Sequence, residues 1–136
     1  MPVAHSVPSE DGARNHFSKI QRYSKVYDNV NSPSHRGDFA RACLDLRECR
    51  APFGIYNVTN PGFVTTRQVV AIILRILKPG REFEFWADDK EFCRIAAKTP
   101  RSNCMLDVSK PLAVGAGLRP LTEAVETALK NWKTGL

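Results

Sequence analysis

The chain has 136 residues, enough for one domain with a real core. Its apolar content of 43% is ordinary for a globular protein, and the apolar stretch at 69–77, broken by Arg75, is too short to cross a bilayer. The net charge of +6 is scattered, which fits a solvated basic surface or a site for an anion and speaks against a dedicated nucleic-acid binder.

Residues 1–13 read as loop, interrupted by Pro2, Pro8 and Gly12, with no apolar core of a signal peptide. A helix is predicted over 15–24, with Phe17, Ile20 and Tyr23 on one side. Asn15 is a helix cap or a ligand group, the cap being the stronger reading. Residues 30–38 form a loop in which His35 and Arg36 could face an anion; the alternative leaves Arg36 solvated and Asp38 capping the next helix. That helix carries Phe39, Ala42, Cys43 and Leu46 at helical spacing, and Pro52 and Gly54 end it.

A strand is expected over 54–59, closed by the turn residues Asn60, Pro61 and Gly62. Thr65 then stands three residues before Gln68, the spacing of a capping box, and opens a helix over 66–77. This helix is apolar on most sides and should pack between layers. Pro79 and Gly80 stop it. Residues 82–86 alternate as a strand, 88–97 form a short helix, and 99–110 are irregular with an extended piece at 104–106. The last helix, 122–133, has one stripe of Leu121, Ala124, Val125, Ala128, Leu129 and Trp132, with Thr122 as its cap.

The pattern is α/β, but two predicted strands are few for the helices around them. Either further strands are hidden in the sequence, or part of the sheet is contributed from outside this chain.

Searches for chemistry return little. The sequence contains no G-x-G-x-x-G, P-loop, H-E-x-x-H, G-x-S-x-G or Tyr-x-x-x-Lys. Cys43, Cys49, Cys93 and Cys104 form no C-x-x-C pair, and His5, His16 and His35 are not spaced to join them around a metal. No metal site is expected, and the cysteines read as plain thiols in a reducing cytoplasm. A binding group remains: Arg101, Ser102 and Asn103 in an irregular segment, where a guanidinium fork suits a phosphate. The bland alternative pairs Arg101 with Asp107 on a surface loop.

Four stretches carry a resemblance in order: "MPV", "RNHFSKI", "GIYNVTNPGFVTTRQVV" and "PRSNCMLDVSK". Together they resemble the C-terminal part of extended short-chain dehydrogenase/reductases, closest to the dTDP-4-dehydrorhamnose reductase and nucleotide-rhamnose synthase group. The resemblance implies that residues 1–136 are a single incomplete α/β domain. That domain would be the substrate-binding portion of a Rossmann-type fold without its dinucleotide-binding half. It implies a nucleotide-diphosphate sugar as ligand, with Arg101, Asn103 and Asn15 binding it. It places NAD(P) and the catalytic Ser/Thr, Tyr and Lys in the family's N-terminal part, so no catalytic or cofactor-binding residue is assigned here. A missing N-terminal half or a second copy would be the protein partner. The rival readings are a non-enzymatic regulatory module of the same fold and, less well supported, a small basic nucleic-acid binder.

Overall fold

The computed structural model describes residues 10–97, 99 and 102–133. In chain order the elements are α1 (His16–Arg22), β1 (Lys25–Val26), β2 (Val30–Asn31), α2 (Arg36–Glu48), β3 (Val64–Thr65), α3 (Thr66–Ile76), β4 (Glu84–Phe85), α4 (Asp89–Ile95), α5 (Ser109–Ala113) and α6 (Leu121–Lys130). The fold is mixed α/β, with strands only two residues long. β1 pairs in parallel with β4, Lys25 opposite Glu84 and Val26 opposite Phe85. β2 pairs antiparallel with β3, and on its other side Asn31 bridges in parallel to Cys104.

One core ties these pieces together. Phe17 and Ile20 of α1, Val26 of β1, Val69, Val70 and Ile73 of α3, and Val125, Ala128 and Leu129 of α6 are all buried in it. α3 and α6 pack directly against each other. Their apolar residues recur at three- and four-residue intervals, so each helix presents one stripe to the other. Phe83, Phe85 and Trp132 close the margin of the core.

The capping box forms as the spacing predicts. Thr65 Oγ1 accepts from the Gln68 N–H (3.2 Å), and Gln68 Oε1 accepts from the Thr65 N–H (2.9 Å). α3 itself departs from expectation. Only Thr66, Val69, Val70 and Ile73 are buried, while Ala71 and Leu74 face outward, so the helix covers one side rather than filling a space between layers. The α2 stripe is likewise uncovered: Ala42 is buried, but Phe39 and Cys43 are exposed. The residues expected as a strand at 54–59 pair with no other strand.

Two caps differ from the sequence expectation. His35, not Asp38, caps α2, its Nδ1 accepting from the Asp38 N–H at 3.3 Å. α6 begins at Leu121 behind Pro120, so Thr122 lies inside its first turn and caps nothing. α5 falls partly within the segment expected to be irregular; Asp107 Oδ1 accepts from the Ser109 N–H at its start (2.8 Å).

Candidate functional site: a basic, aromatic cavity

A cavity of about 490 Å³ opens between α1, β1 and α4. Arg14, His16 and Lys19 reach it from the start of α1, and Lys25 from β1. Tyr23, Tyr27, Trp86 and Phe92 supply aromatic walls, while Ile20 and Val26 connect its floor to the core. None of its lining residues is acidic.

The placement of these groups follows from local structure. Asn15 is 3% exposed and caps α1: its Oδ1 accepts from the Phe17 N–H (3.0 Å) and its Nδ2 donates to the Glu10 carbonyl (2.7 Å). That cap fixes the first turn of α1, and Phe17 and Ile20 are buried on the core side of the same helix. His16 and Lys19 on that helix, and Arg14 just before the cap, line the cavity. Asn15 thus acts behind the lining residues, not among them.

On the opposite wall Tyr27 stacks on Phe92, ring centroids 4.1 Å apart and 10° from parallel, and Trp86 meets Phe92 edge-on at 5.9 Å. Burial, with the hydrogen bond that Tyr27 donates to Asp89 Oδ1 (3.0 Å), pushes the Tyr27 phenol above its usual pKa. It therefore stays protonated at neutral pH and is a poor base. Lys25 Nζ stands 5.0 Å over the Trp86 ring and 3.9 Å from Glu91. Asn29 and Thr66 complete the rim: the Thr66 N–H donates to the Asn29 carbonyl (3.1 Å), and their side chains bond at 3.0 Å.

Of the residues singled out by sequence, Asn103 lies next to this rim. Its Oδ1 accepts from the Val30 N–H at 3.0 Å, one residue beyond Asn29. The Cys104 N–H then donates to the Val30 carbonyl, and the Ser32 N–H donates to the Cys104 carbonyl, so this strand-like segment is clamped along β2. Arg101 lies outside the described residues. The proposed alternative partner of Arg101, Asp107, is engaged with Ser109. The sequence reading did not single out Lys25, Tyr27, Trp86 or Phe92. Lys25 and Tyr27 lie far along the chain from Trp86 and Phe92, and the parallel pairing of β1 with β4 brings the two stretches side by side. Arg14 and Lys19 were present in the quoted "RNHFSKI" stretch but carried no assigned role.

A second polar cluster is structural. Asp38, 3% exposed, receives two bonds from Arg119 (Nε to Oδ2 2.9 Å, Nη2 to Oδ1 2.8 Å) and one from Asn60 Nδ2 (2.8 Å). Asn60 Oδ1 accepts from the His35 N–H (2.7 Å), and the Leu121 N–H donates to the Pro61 carbonyl (2.9 Å). The Asn60-Pro61-Gly62 corner is therefore the joint that locks the starts of α2 and α6 together. Its charges are paired with each other, Asp38 with Arg119.

No protein-family model matches the chain. It is 30% identical over 110 residues to a bifunctional dTDP-4-dehydrorhamnose 3,5-epimerase/dTDP-4-dehydrorhamnose reductase from Arabidopsis thaliana, an alignment covering 81% of this chain and 35% of that protein. A trifunctional UDP-glucose 4,6-dehydratase/UDP-4-keto-6-deoxy-D-glucose 3,5-epimerase/UDP-4-keto-L-rhamnose-reductase of the same plant is 29% identical over 110 residues, 81% of this chain and 16% of that one. The crystal structure of a UDP-rhamnose synthase from Acanthamoeba polyphaga mimivirus superposes with a TM-score of 0.79 at 21% identity, over 93% of this chain and 43% of that one. The relatives are nucleotide-rhamnose synthases, reductases and epimerases. The chain spans about a third or less of these curated plant relatives. The nucleotide-rhamnose synthase fold accounts for nearly all of this chain, α1 to α6.

Proposed function

We propose that the chain is the substrate-binding portion of an extended short-chain dehydrogenase/reductase acting on a nucleotide-diphosphate sugar, of the dTDP-4-dehydrorhamnose reductase kind, in the cytoplasm. The observation that carries this reading is the cavity. Arg14, Lys19 and Lys25 supply positive charge for a diphosphate, and Trp86, Tyr27 and Phe92 supply flat apolar surface for a base or sugar. Asn15 caps the helix that bears Lys19, Asn103 fixes the rim, and Arg101, by its motif, adds a guanidinium to the diphosphate region. The four free thiols suit a reducing compartment.

The described residues do not fit NAD(P). A dinucleotide pyrophosphate is usually held at a glycine-rich helix N-terminus with free N–H groups. Here α1, α2, α3 and α4 are capped by their own Asn15, His35, Thr65 and Asp88 side chains; α5 and α6 have no side-chain cap, but α5 is only five residues long and the Leu121 N–H at the start of α6 donates to the Pro61 carbonyl. In this reading the cofactor belongs to a complementary portion of the enzyme, and the chain alone transfers no hydride. A regulatory module of the same fold is the alternative, favoured by the exposure of Phe53 and Ile55.

Calorimetric titration with dTDP and UDP at low salt tests the site. Hydrogen bonds to a charged group contribute roughly 1.5–3 kcal/mol each. Lys19→Ala and Arg101→Ala should therefore each weaken binding about tenfold or more, with Arg101→Lys restoring only part of the loss. No measurable binding by the folded parent, or equal affinities for parent and both alanine variants, would overturn the assignment.

A further inference from the structure

Lys25 and Tyr27 stand two residues apart in extended chain, with Val26 between them buried in the core. Both line the cavity, and both hold α4. Tyr27 stacks on Phe92 and donates its hydroxyl to Asp89 Oδ1, and Lys25 Nζ lies 3.9 Å from Glu91 Oε1. α4 has little else to hold it. None of its residues is buried, and none of its side chains joins the core. Its first turn is closed by its own bonds: Asp88 Oδ1 accepts from the Glu91 N–H (2.6 Å), and Glu91 Oε2 accepts from the Ala87 N–H (3.0 Å). The helix therefore keeps its shape without leaning on the body of the protein.

The segment is fixed at its two ends. The Trp86 N–H donates to the Val26 carbonyl (3.1 Å), continuing the pairing of β1 with β4, and Ala97 is buried. Between those anchors, among the described residues, the hydrogen bond, ion pair and ring contacts that tie α4 to the rest of the fold all end on Lys25, Tyr27 or Trp86. All three line the cavity, as do Phe92 and Ala96 of the segment itself. A helix without buried residues opens at little cost. A ligand in the cavity meets the very side chains that hold this one. We infer that α4 is a lid on the cavity, hinged at Trp86 and Ala97, which opens to admit a nucleoside diphosphate and closes over it through Phe92. The class of ligand rests on the proposed nucleotide-sugar reading; the hinge and its ties do not.

Hydrogen exchange on the 136-residue chain tests the lid. The amides that close α4, those of Phe92, Ala96 and Ala97, should exchange about a hundredfold or more faster than the amides of the buried side of α3, through local opening. Saturating UDP or dTDP should slow them about tenfold or more. Asp89→Ala combined with Glu91→Gln removes both polar ties without altering a lining residue. It should speed α4 exchange in the empty chain about tenfold and leave the urea midpoint unchanged. Trp86 and Trp132 are the chain's two tryptophans, so Trp132→Phe leaves Trp86 as the reporter. After rapid mixing with UDP its fluorescence should relax at a rate that levels off as UDP rises, the mark of a closing step. Exchange of α4 in step with α3, or α4 exchange indifferent to the double substitution, would overturn the inference. So would nucleotide binding that leaves α4 exchange unchanged or gives a rate linear in UDP. In that case the lid alone falls. If the folded chain binds neither nucleotide, the proposed function falls and takes the lid with it.

Discussion

Asp38 shows how one residue can be visible in a sequence and still be misread. An acidic residue beside a helix start reads as a cap, because a carboxylate there accepts from free N–H groups. In the structure His35 takes that place, and Asp38 turns inward to Arg119, 81 residues away. Local spacing cannot show a partner at that distance. Burial alone would raise the Asp38 pKa, but the hydrogen bonds from Arg119 and Asn60 outweigh it and hold the carboxyl below its usual value. His35 is shifted the same way: burial lowers its pKa from 6.5, against the raising effect of Asp38, and its Nδ1 must stay unprotonated to cap α2. For both groups the folded state binds protons less readily than the unfolded chain. Both contributions to stability are therefore complete above the unfolded pKa and are lost as pH falls through the folded one. Loss should begin below pH 6.5 with His35 and continue below pH 3.8 with Asp38. Urea midpoints across pH should show the first loss in the parent and not in His35→Asn, which keeps a cap without titrating. Arg119→Ala, which strands the buried Asp38 charge, should cost about 3–5 kcal/mol at pH 7. A midpoint that stays level from pH 7 to 5 in the parent, or an Arg119→Ala variant as stable as the parent, would contradict this account.

Most helices were legible as elements; of the strands only β4 was, inside the expected 82–86, together with the extended piece at 104–106 where Cys104 bridges to Asn31. The capping box at Thr65 and Gln68, the stripe of α6 and the short helix α4 all rest on local chemistry that acts within a few residues. β1, β2 and β3 are two residues each, without a period-two pattern around them that marked them out, and they exist through pairing across the fold. Composition also could not tell which sides of α3 would be covered. Val69, Val70 and Ile73 meet α6, but Leu74 is 41% exposed although it is as apolar as they are. Ile73→Ala should therefore cost about 2–5 kcal/mol, the range for truncating a fully buried aliphatic side chain. Leu74→Ala should stay within about 1 kcal/mol, because little packing is lost at an exposed position. Denaturant unfolding of the two variants separates the cases. Equal losses would mean that the outer side of α3 is packed in solution.

For the whole molecule, the resemblance to rhamnose reductases was legible because "RNHFSKI" and "PRSNCMLDVSK" are contiguous stretches, whereas the cavity was not, because it is assembled from α1, β1, β4 and α4. In the proposed reading the cavity takes a nucleotide sugar, and the cofactor and proton donor come from another portion of the enzyme. Hydride transfer to a ketone needs a bound cofactor and a group that delivers a proton to the developing alkoxide. Of the six described helices, four have their N-termini occupied by their own caps, and α5 and α6 carry no side-chain cap. Within the cavity the two tyrosines are poor candidates for the proton donor. Tyr27 is bonded to Asp89 and stacked on Phe92, with its pKa raised, and neither Tyr23 nor Tyr27 has a lysine four residues on. The 136-residue chain, purified on its own and supplied with a dTDP-4-keto-6-deoxy sugar and NADPH or NADH, should oxidise the cofactor no faster than a protein-free blank. The same preparation should bind dTDP or UDP, and that binding should weaken as salt screens Arg14, Lys19 and Lys25. Substrate-dependent cofactor oxidation above the blank, proportional to protein concentration and abolished by denaturing the chain, would show that the chain holds a cofactor site and a proton donor of its own.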